Sequence, residues 1–375
     1  MNIGVLKEEA VGERRVSLTP HGVPKMIAAC HQVFVQRSAG SGSGFSDESY
    51  REQGATIVDG IPQLYQESQI ILAVRPPNTL AHVRPGTIMI GMLQSWSGAP
   101  AKLQALAKHQ IAAYALEAMP RISRAQNMDV LSSMSTVAGY RAVILAAERL
   151  GRFFPMLMTA AGTIIPTKVL VLGAGVAGLQ AIATAHRLGA VVKAFDTRVA
   201  AKEQVESLGA SFLNLGLAET ASADGYAQGL DQDQHASELE FLRPFVSEAD
   251  VVITTAQIPG RQAPMLITEG MVSGMKPGSV IIDLAGESGG NCELSKPGPD
   301  VVVSHGVQIM APLDIVSQMA ADASFLYSRN LVNFVLYLQG LGFEKLVAED
   351  IQDEIYQRTR LAVPAHFSNA VAGVP

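Results

Sequence analysis

The chain has 375 residues, 48% hydrophobic and 17% charged, with a formal net charge of −6. That length accommodates two domains of ordinary size, and the composition suits a well-packed soluble α/β protein. An acidic balance without a lysine or arginine run excludes nucleic acid and anionic membrane surfaces as partners, and two cysteines in unrelated contexts, Cys30 and Cys292, indicate neither a disulfide framework nor a zinc site.

The opening MNIGVLKEE turns acidic within eight residues and lacks the basic and apolar pattern of a signal peptide. A reducing cytoplasm fits. Short apolar runs predict strands at Ile3 to Leu6, Val33 to Gln36, Ile70 to Val74, Thr87 to Ile90 and Ile111 to Ala115. Helices are expected at Gly22 to Ala29 and Ala99 to Lys108, and such alternation means crossover units on a parallel sheet. No glycine fingerprint occurs in this first α/β domain.

Next comes a polar cluster, RISRAQNMDVLSS, from Arg121 to Ser133. Gln126 and Asp129, and Asp129 and Ser132, are spaced three apart and share a face if the stretch is helical. The competing reading is a helix start, with Asp129 accepting first-turn N–H bonds and the arginines solvated. A long helical pattern then runs from near Leu131 to Leu150. Continuous apolar stretches such as Phe153 to Pro166 are too short to span a bilayer, so no direct membrane insertion is expected.

The most informative stretch is Lys168 to Arg198. A buried strand leads directly into Gly173-Ala174-Gly175-Val176-Ala177-Gly178, and a helical pattern follows to Leu188, closed by Gly189. The first glycine permits a tight turn, the second lets a pyrophosphate approach the backbone, and the third lets helix and strand pack closely. A second strand, Val191 to Phe195, ends in Asp196, 18 residues past the last glycine. An acid there accepts hydrogen bonds from an adenosine ribose and repels a 2′-phosphate, so NAD(H) is expected rather than NADP(H). Arg198 just beyond could accommodate such a phosphate, or simply cap or solvate the next helix.

Beyond the fingerprint lies a polar stretch, Ala218 to Glu238, whose one aromatic residue is Tyr226. A loop of that length is either functional or disordered. Strands are expected at Val251 to Thr254, Val280 to Leu284 and Val301 to Val303, then a helix of about 25 residues from Ile315 that returns the chain to the first domain. The expected architecture is α/β: two doubly wound parallel-sheet (Rossmann-like) domains, residues 1–130 with 325–375 and residues 131–324, joined by long helices with a cleft between them.

Together the opening KEEAVGERRVSLTP, the cluster RISRAQNMDVLSSMSTVAGYRAVI, the fingerprint with its flanks, the strand-loop KPGSVIIDLAGESGGNCELS and the helix AADASFLYSRNLVNF resemble the NAD(H)-binding alpha subunit of proton-translocating NAD(P) transhydrogenase. The likeness covers nearly the whole chain. Alanine dehydrogenases share the fold and the opening motif. The resemblance implies that this chain binds NAD(H), that a partner subunit binds NADP(H), that hydride passes directly between them, and that a separate membrane-spanning subunit couples transfer to proton movement. It also implies a homodimer that is cytoplasmic and peripheral to the inner membrane.

By the same resemblance Arg121, Gln126, Asp129 and Ser132 surround the nicotinamide and its ribose, in a segment that includes Ile122, Ser123, Asn127 and Met128. Ala174, Gly175 and Val176, between Gly173 and Gly178, hold the pyrophosphate, and Asp196, Thr197 and Arg198 the adenosine end. Gly225 and Tyr226 fall in a loop that folds over nucleotide, and Gln257 passes the adenine side. Met134, Thr136 and Val137 stand where many members have Gln, Asn and Leu.

Two other readings share the fold. An amino-acid dehydrogenase moves a proton with the hydride and needs a general acid/base. Where alanine dehydrogenases supply lysine and histidine, this chain has Arg75 and the stretch Gly91 to Trp96, with no histidine between His82 and His109. Arginine cannot serve as a base, and Arg15 alone could only hold a carboxylate. The third reading is a non-catalytic NAD(H)-binding module.

Overall fold

The computed structural model describes residues 1–93, 105–106, 108–216, 232–257, 262–298, 301–302, 306–346 and 351–362. The chain divides into two compact units, Met1–Met134 with Val316–Pro375, and Ser135–Ile315.

The first unit is organised on seven strands among the described residues: β1 (Asn2–Val5), β2 (Gln32–Gln36), β3 (Thr56–Val58), β4 (Ile70–Leu72), β5 (Ile88–Gly91), β6 (Ala112–Ala115) and β16 (Arg360–Ala362). Their order is β16-β6-β5-β4-β1-β2-β3, all parallel except the edge pair of β16 with β6. β4, β5 and β6 are buried at every position, the pattern of parallel strands covered on both faces. Leu64, Tyr65, Ile71, Met89 and Ile111 belong to the core on one side.

The second unit repeats this plan with β9 (Lys168–Leu172), β10 (Val191–Phe195), β11 (Ser211–Leu213), β12 (Val251–Thr254), β13 (Val280–Asp283), β14 (Val301–Val302) and β15 (Gln308–Met310). The order β11-β10-β9-β12-β13-β15-β14 is again parallel apart from one edge pair, β14 with β15. Strand order reverses between β9 and β12, so chains leave these two strands in opposite directions and open a crevice at their carboxyl ends. Leu170, Leu172, Phe195, Leu242, Val252 and Ile281 belong to its core.

The helix over Val130–Arg149 buries Met134, Val137, Ala142, Val143 and Ala146. Its length and composition are sufficient to cross a membrane, and among the described residues it, rather than Phe153–Pro166, is the helix that meets that test. A core helix of a water-exposed unit has the same composition, and this one packs so closely that a Cβ on Gly139 would lie 2.1 Å from the Ala177 carbonyl oxygen.

Several boundaries differ from the sequence reading. The helix expected from Gly22 opens as a 3-10 turn, Pro20–Gly22, because Pro20 and Pro24 restrict its first residues, and continues over Val23–Ala28. The return helix spans Ala320–Leu341 after a 3-10 turn at Ser317–Met319. Phe153–Pro166 contains an unexpected hairpin, β7 (Leu157–Thr159) with β8 (Gly162–Ile164), turned by Gly162 at φ +130°. Most of the expected helix at Ala99 to Lys108, and residues 217–231 of the polar stretch, lie outside the described residues.

Candidate functional site

The glycine turn follows β9 directly, and its three glycines serve three different ends. Gly173 has φ +98°, a backbone conformation that L side chains rarely adopt, and a Cβ there would meet the Thr255 hydroxyl at 2.7 Å. At Gly178 a Cβ would fall 1.8 Å from the Gly173 carbonyl oxygen, so only glycine lets the helix Val176–Arg187 start against the turn. Gly175 is the opposite case, because a Cβ there would meet nothing within 4 Å among the described residues. The one glycine not required by packing faces open space at a helix N-terminus, where a pyrophosphate gains the free N–H groups.

A second set of residues holds this turn in place. The Thr255 hydroxyl, just past β12, donates to the carbonyls of Leu172 (3.5 Å) and Gly173 (3.0 Å). Next to it, Ala256 donates its N–H to the Asn291 side chain and accepts from the Asn291 amide. Asp283, fully buried at the end of β13, takes donors from Thr254, Ala285, Asn291, Cys292 and Ser295. Sequence reasoning missed Thr255, Asp283 and Asn291. An acid ending a buried parallel strand was the available signal for Asp283. Gln257 donates to the Leu284 carbonyl at 2.6 Å, so it belongs to the same loop system.

Asp196 ends β10 beside the glycine turn, with its side chain 7% exposed. Its Oδ2 accepts from the Ala174 backbone N–H at 2.7 Å and from Arg198 Nη2 at 2.9 Å, while Oδ1 accepts from Arg198 N–H and Nε, each at 2.9 Å. Arg198 is thus an ion-pair partner of Asp196, and that hydrogen bond is what raises its own pKa. The alternative of a solvated helix cap does not describe it. Between them the Thr197 hydroxyl is buried without a hydrogen-bond partner among the described residues. Open space at Gly175 and an orphaned hydroxyl beside the acid both fit a bound nucleotide.

Nearby, Phe195 packs on Phe241 of the helix Gln232–Glu248, ring centroids 6.0 Å apart. One turn earlier on that helix the buried Glu238 contacts His235 Nδ1 at 3.1 Å. Burial raises its pKa, His235 offsets some of this, and the charge of Asp196 adds to the rise.

In the first unit, Ser123–Met128 is a 3-10 helix and Asp129 has extended geometry, φ −76° and ψ 94°. Gln126 and Asp129 therefore do not share an α-helical face, because the α-helix starts only at Val130. Asp129 accepts from the Ser132 N–H at 2.9 Å and from the Ser132 hydroxyl at 2.5 Å, the geometry of a helix cap. Arg121, Ser123, Gln126 and Asn127 are exposed or half-buried at most, Ile122 is half-buried and Met128 is buried. The side-chain amides of Asn330 and Asn333 both donate to the Asn127 carbonyl, each at 2.9 Å, and so anchor the segment on the return helix.

The same unit contains an ion cluster of which the sequence reading named Arg15 and Arg75 but not Glu13. Arg15 donates through Nε (2.7 Å) and Nη2 (2.5 Å) to Glu13, and both side chains are under 5% exposed. Arg75 Nε reaches the same carboxylate at 3.3 Å, and Ser317 donates to it at 2.6 Å. Burial opposes the charge of Glu13, but Arg15 and the Ser317 hydroxyl outweigh it and hold its pKa at about 2. Glu8 accepts from the backbone N–H groups of Val74 and Arg75 at 2.6 and 3.0 Å, yet burial still pushes its pKa up to about 7. Gly225 and Tyr226, and Gln94 to Trp96, lie outside the described residues.

Fold and glycine turn define a dinucleotide-binding protein built on two doubly wound sheets. Models of the alanine dehydrogenase/PNT N-terminal and C-terminal domains match residues 4–138 and 142–359. A Rhodospirillum rubrum protein named as the first portion of NAD(P) transhydrogenase subunit alpha is 47% identical over 345 residues, 89% of each chain. The crystal structure of transhydrogenase from Sinorhizobium meliloti superposes with a TM-score of 0.87 at 40% identity, covering 97% of this chain and 99% of that one. Alanine dehydrogenase of Mycolicibacterium smegmatis is 29% identical over 359 residues, 93% of this chain and 91% of its own length. The chain belongs to the alanine dehydrogenase/PNT family, among the NAD(P) transhydrogenase alpha subunits.

Proposed function

We propose that this chain holds NAD(H) for direct hydride exchange with NADP(H) bound on a partner subunit, and that a separate membrane-spanning subunit couples the exchange to proton movement. The nicotinamide supplies the hydride donor or acceptor. The chain itself binds, orients and excludes water, because hydride transfer between two nicotinamides moves no proton between the reactants. Gly173, Ala174, Gly175, Val176 and Gly178 hold the pyrophosphate, and Asp196, Thr197 and Arg198 line the adenosine end. Gln257 passes the adenine side, and Gly225 and Tyr226 belong to a loop that folds over the nucleotide. Arg121, Ile122, Ser123, Gln126, Asn127, Met128, Asp129 and Ser132 position the nicotinamide end, with residues 131–324 forming the NAD(H)-binding domain and residues 1–130 with 325–375 the other.

The observation that supports exchange over amino-acid oxidation is the fate of Arg75. Its side chain lies in an ion pair with Glu13, where a dehydrogenase needs a group that can take up and release a proton. Mixing the chain with an NADP(H)-binding transhydrogenase subunit is expected to give hydride exchange between NADH and an NAD analogue. NAD reduction dependent on alanine, with no exchange, overturns the proposal.

A homodimer belongs to the same reading, and the hairpin β7–β8 supports it. Met156, Met158 and Ile165 on and beside it are 58%, 79% and 64% exposed. A two-stranded hairpin of this kind is marginal alone in water, and a second copy is the partner that covers it. Sedimentation at micromolar concentration is expected to give a dimer, reduced to a monomer by Met158→Asp. Through its partners the assembly sits on the cytoplasmic side of the inner membrane.

A further inference from the structure

Asp196 is fully used by the chain itself. An ionised carboxylate offers about four acceptor positions, and four protein donors occupy them at 2.7 to 2.9 Å. Two of these donors, Ala174 N–H and Arg198 N–H, belong to the backbone and stay as long as the glycine turn and the turn after β10 keep their shape. The other two, Arg198 Nε and Nη2, sit on a long side chain whose own torsions allow it to turn without the backbone. An adenosine ribose brings two neighbouring hydroxyl donors, and two is the number of positions the guanidinium takes.

We propose that Arg198 is a specificity-determining residue that competes with the ribose: its guanidinium and the two ribose hydroxyls claim the same pair of acceptor positions on Asp196, so dinucleotide binds by displacing the arginine. The inference rests on the NAD(H)-binding reading and adds a competitor to it. It changes the expected basis of cofactor choice. With Arg198 in place the acid carries its own counter-charge, 23% exposed against 7% for the carboxylate, so it repels a 2′-phosphate less than a bare carboxylate does. Displaced arginine stays close by as a cation able to meet that phosphate. Arg198 therefore weakens binding of NADH and narrows the margin against NADPH.

The test is a binding cycle between the side chain and one hydroxyl. Affinities for NADH, for its analogue lacking the adenosine 2′-hydroxyl, and for NADPH are measured by titration on the wild type, Arg198→Ala and Arg198→Lys. Because the backbone N–H of residue 198 still binds Asp196 in either variant, the turn keeps its anchor, which the thermal midpoint without nucleotide checks. Arg198→Ala is expected to bind NADH about tenfold tighter, the scale of one charge-assisted hydrogen bond released to the ligand. Loss of the 2′-hydroxyl is expected to cost little in the wild type and about tenfold in Arg198→Ala. NADPH is expected to gain nothing from the change. Arg198→Lys, with a cation but no fork, falls between. Weaker NADH binding in Arg198→Ala, or equal gains for NADH and the deoxy analogue, overturns the competition. A wild type that binds no NADH overturns the underlying NAD(H) reading instead.

Discussion

The two sheets share one plan and finish their strands in opposite ways. Both have seven strands among the described residues, parallel but for one edge pair. At the end of β9 the chain leaves space, because a methyl group placed on Gly175 would have nothing within 4 Å among the described residues. Beyond β1 the chain fills its own space: Glu13 and Arg15 form a buried ion pair that the half-buried Arg75 joins, and Glu8 is tied to the backbone after β4. The fold supplies crevices, and what the loops put into them decides whether a crevice becomes a site.

This contrast can be broken from either side, and the largest effect is expected in the filled crevice. Glu13→Ala leaves the Arg15 guanidinium buried without its bidentate partner, so denaturant unfolding is expected to show a loss of roughly 3–5 kcal/mol. NADH affinity of the folded molecules stays as it was. A loss below about 1 kcal/mol, the value of an exposed pair, shows that water reaches the cluster.

In the open crevice the effects reverse. Gly175→Val adds a side chain where the backbone, at φ −74° and ψ −169°, accepts any residue, so stability is expected to change by less than about 0.5 kcal/mol. Calorimetric titration is expected to show NADH binding weakened at least about hundredfold, since the methyl groups stand where the pyrophosphate approaches the backbone. Gly178→Val is the control: it strikes the Gly173 carbonyl, so it destabilises the fold as well.

Smaller and more specific is the split between Gln126 and Asp129. The cap geometry predicts that Asp129→Ala lowers stability by roughly 0.5–2 kcal/mol. Gln126 is exposed, and Gln126→Ala is expected to leave the thermal midpoint unchanged while slowing single-turnover hydride transfer, by about hundredfold if the reacting atoms shift by about 1 Å. Unchanged transfer in both variants removes the cluster from the site.

The most gradual effect is a pH slope. Glu8 has its pKa raised from 4.5 to about 7, so its contribution to stability is complete below 4.5 and fades as pH rises through about 7. Glu13, lowered to about 2, contributes above 4.5 and loses that contribution only as pH falls through about 2. Thermal midpoints between pH 5 and pH 8 are expected to fall in the wild type and to flatten in Glu8→Gln, as roughly the share of one titrating group.

What the sequence makes legible follows the range of the interactions. Gly173, Gly175 and Gly178 are readable because strand, turn and helix are contiguous and each glycine answers a local steric demand. Strand cores such as Val169 to Leu172 are readable because burial on both faces leaves an unbroken apolar run. The hairpin at Leu157–Ile164 escapes such reading because its exposed apolar residues imitate a short core segment. The cap at Asp129 is readable because it lies just before a helical pattern, whereas the closing of Arg198 over Asp196 depends on a side-chain rotamer that no residue spacing encodes. Glu13 stands two residues from Arg15 in plain view, but its burial depends on Ser317, more than 300 positions away.

The pairing of β16 with β6 has a consequence for how the protein is made. Arg360 lies against Tyr114, so the first sheet draws its edge strand from a segment translated long after the rest of that sheet. The second unit, Ser135–Ile315, is uninterrupted and can complete its sheet while the ribosome is still elongating. The first unit must wait, with β6 an open edge, until the return helix and β16 emerge. Its closure spans a loop of some hundreds of residues, but the intervening unit has by then condensed, which brings the two ends together through a compact body rather than a free coil. Synthesis order thus sets the uninterrupted unit as the first to form and the ion-paired unit as the last.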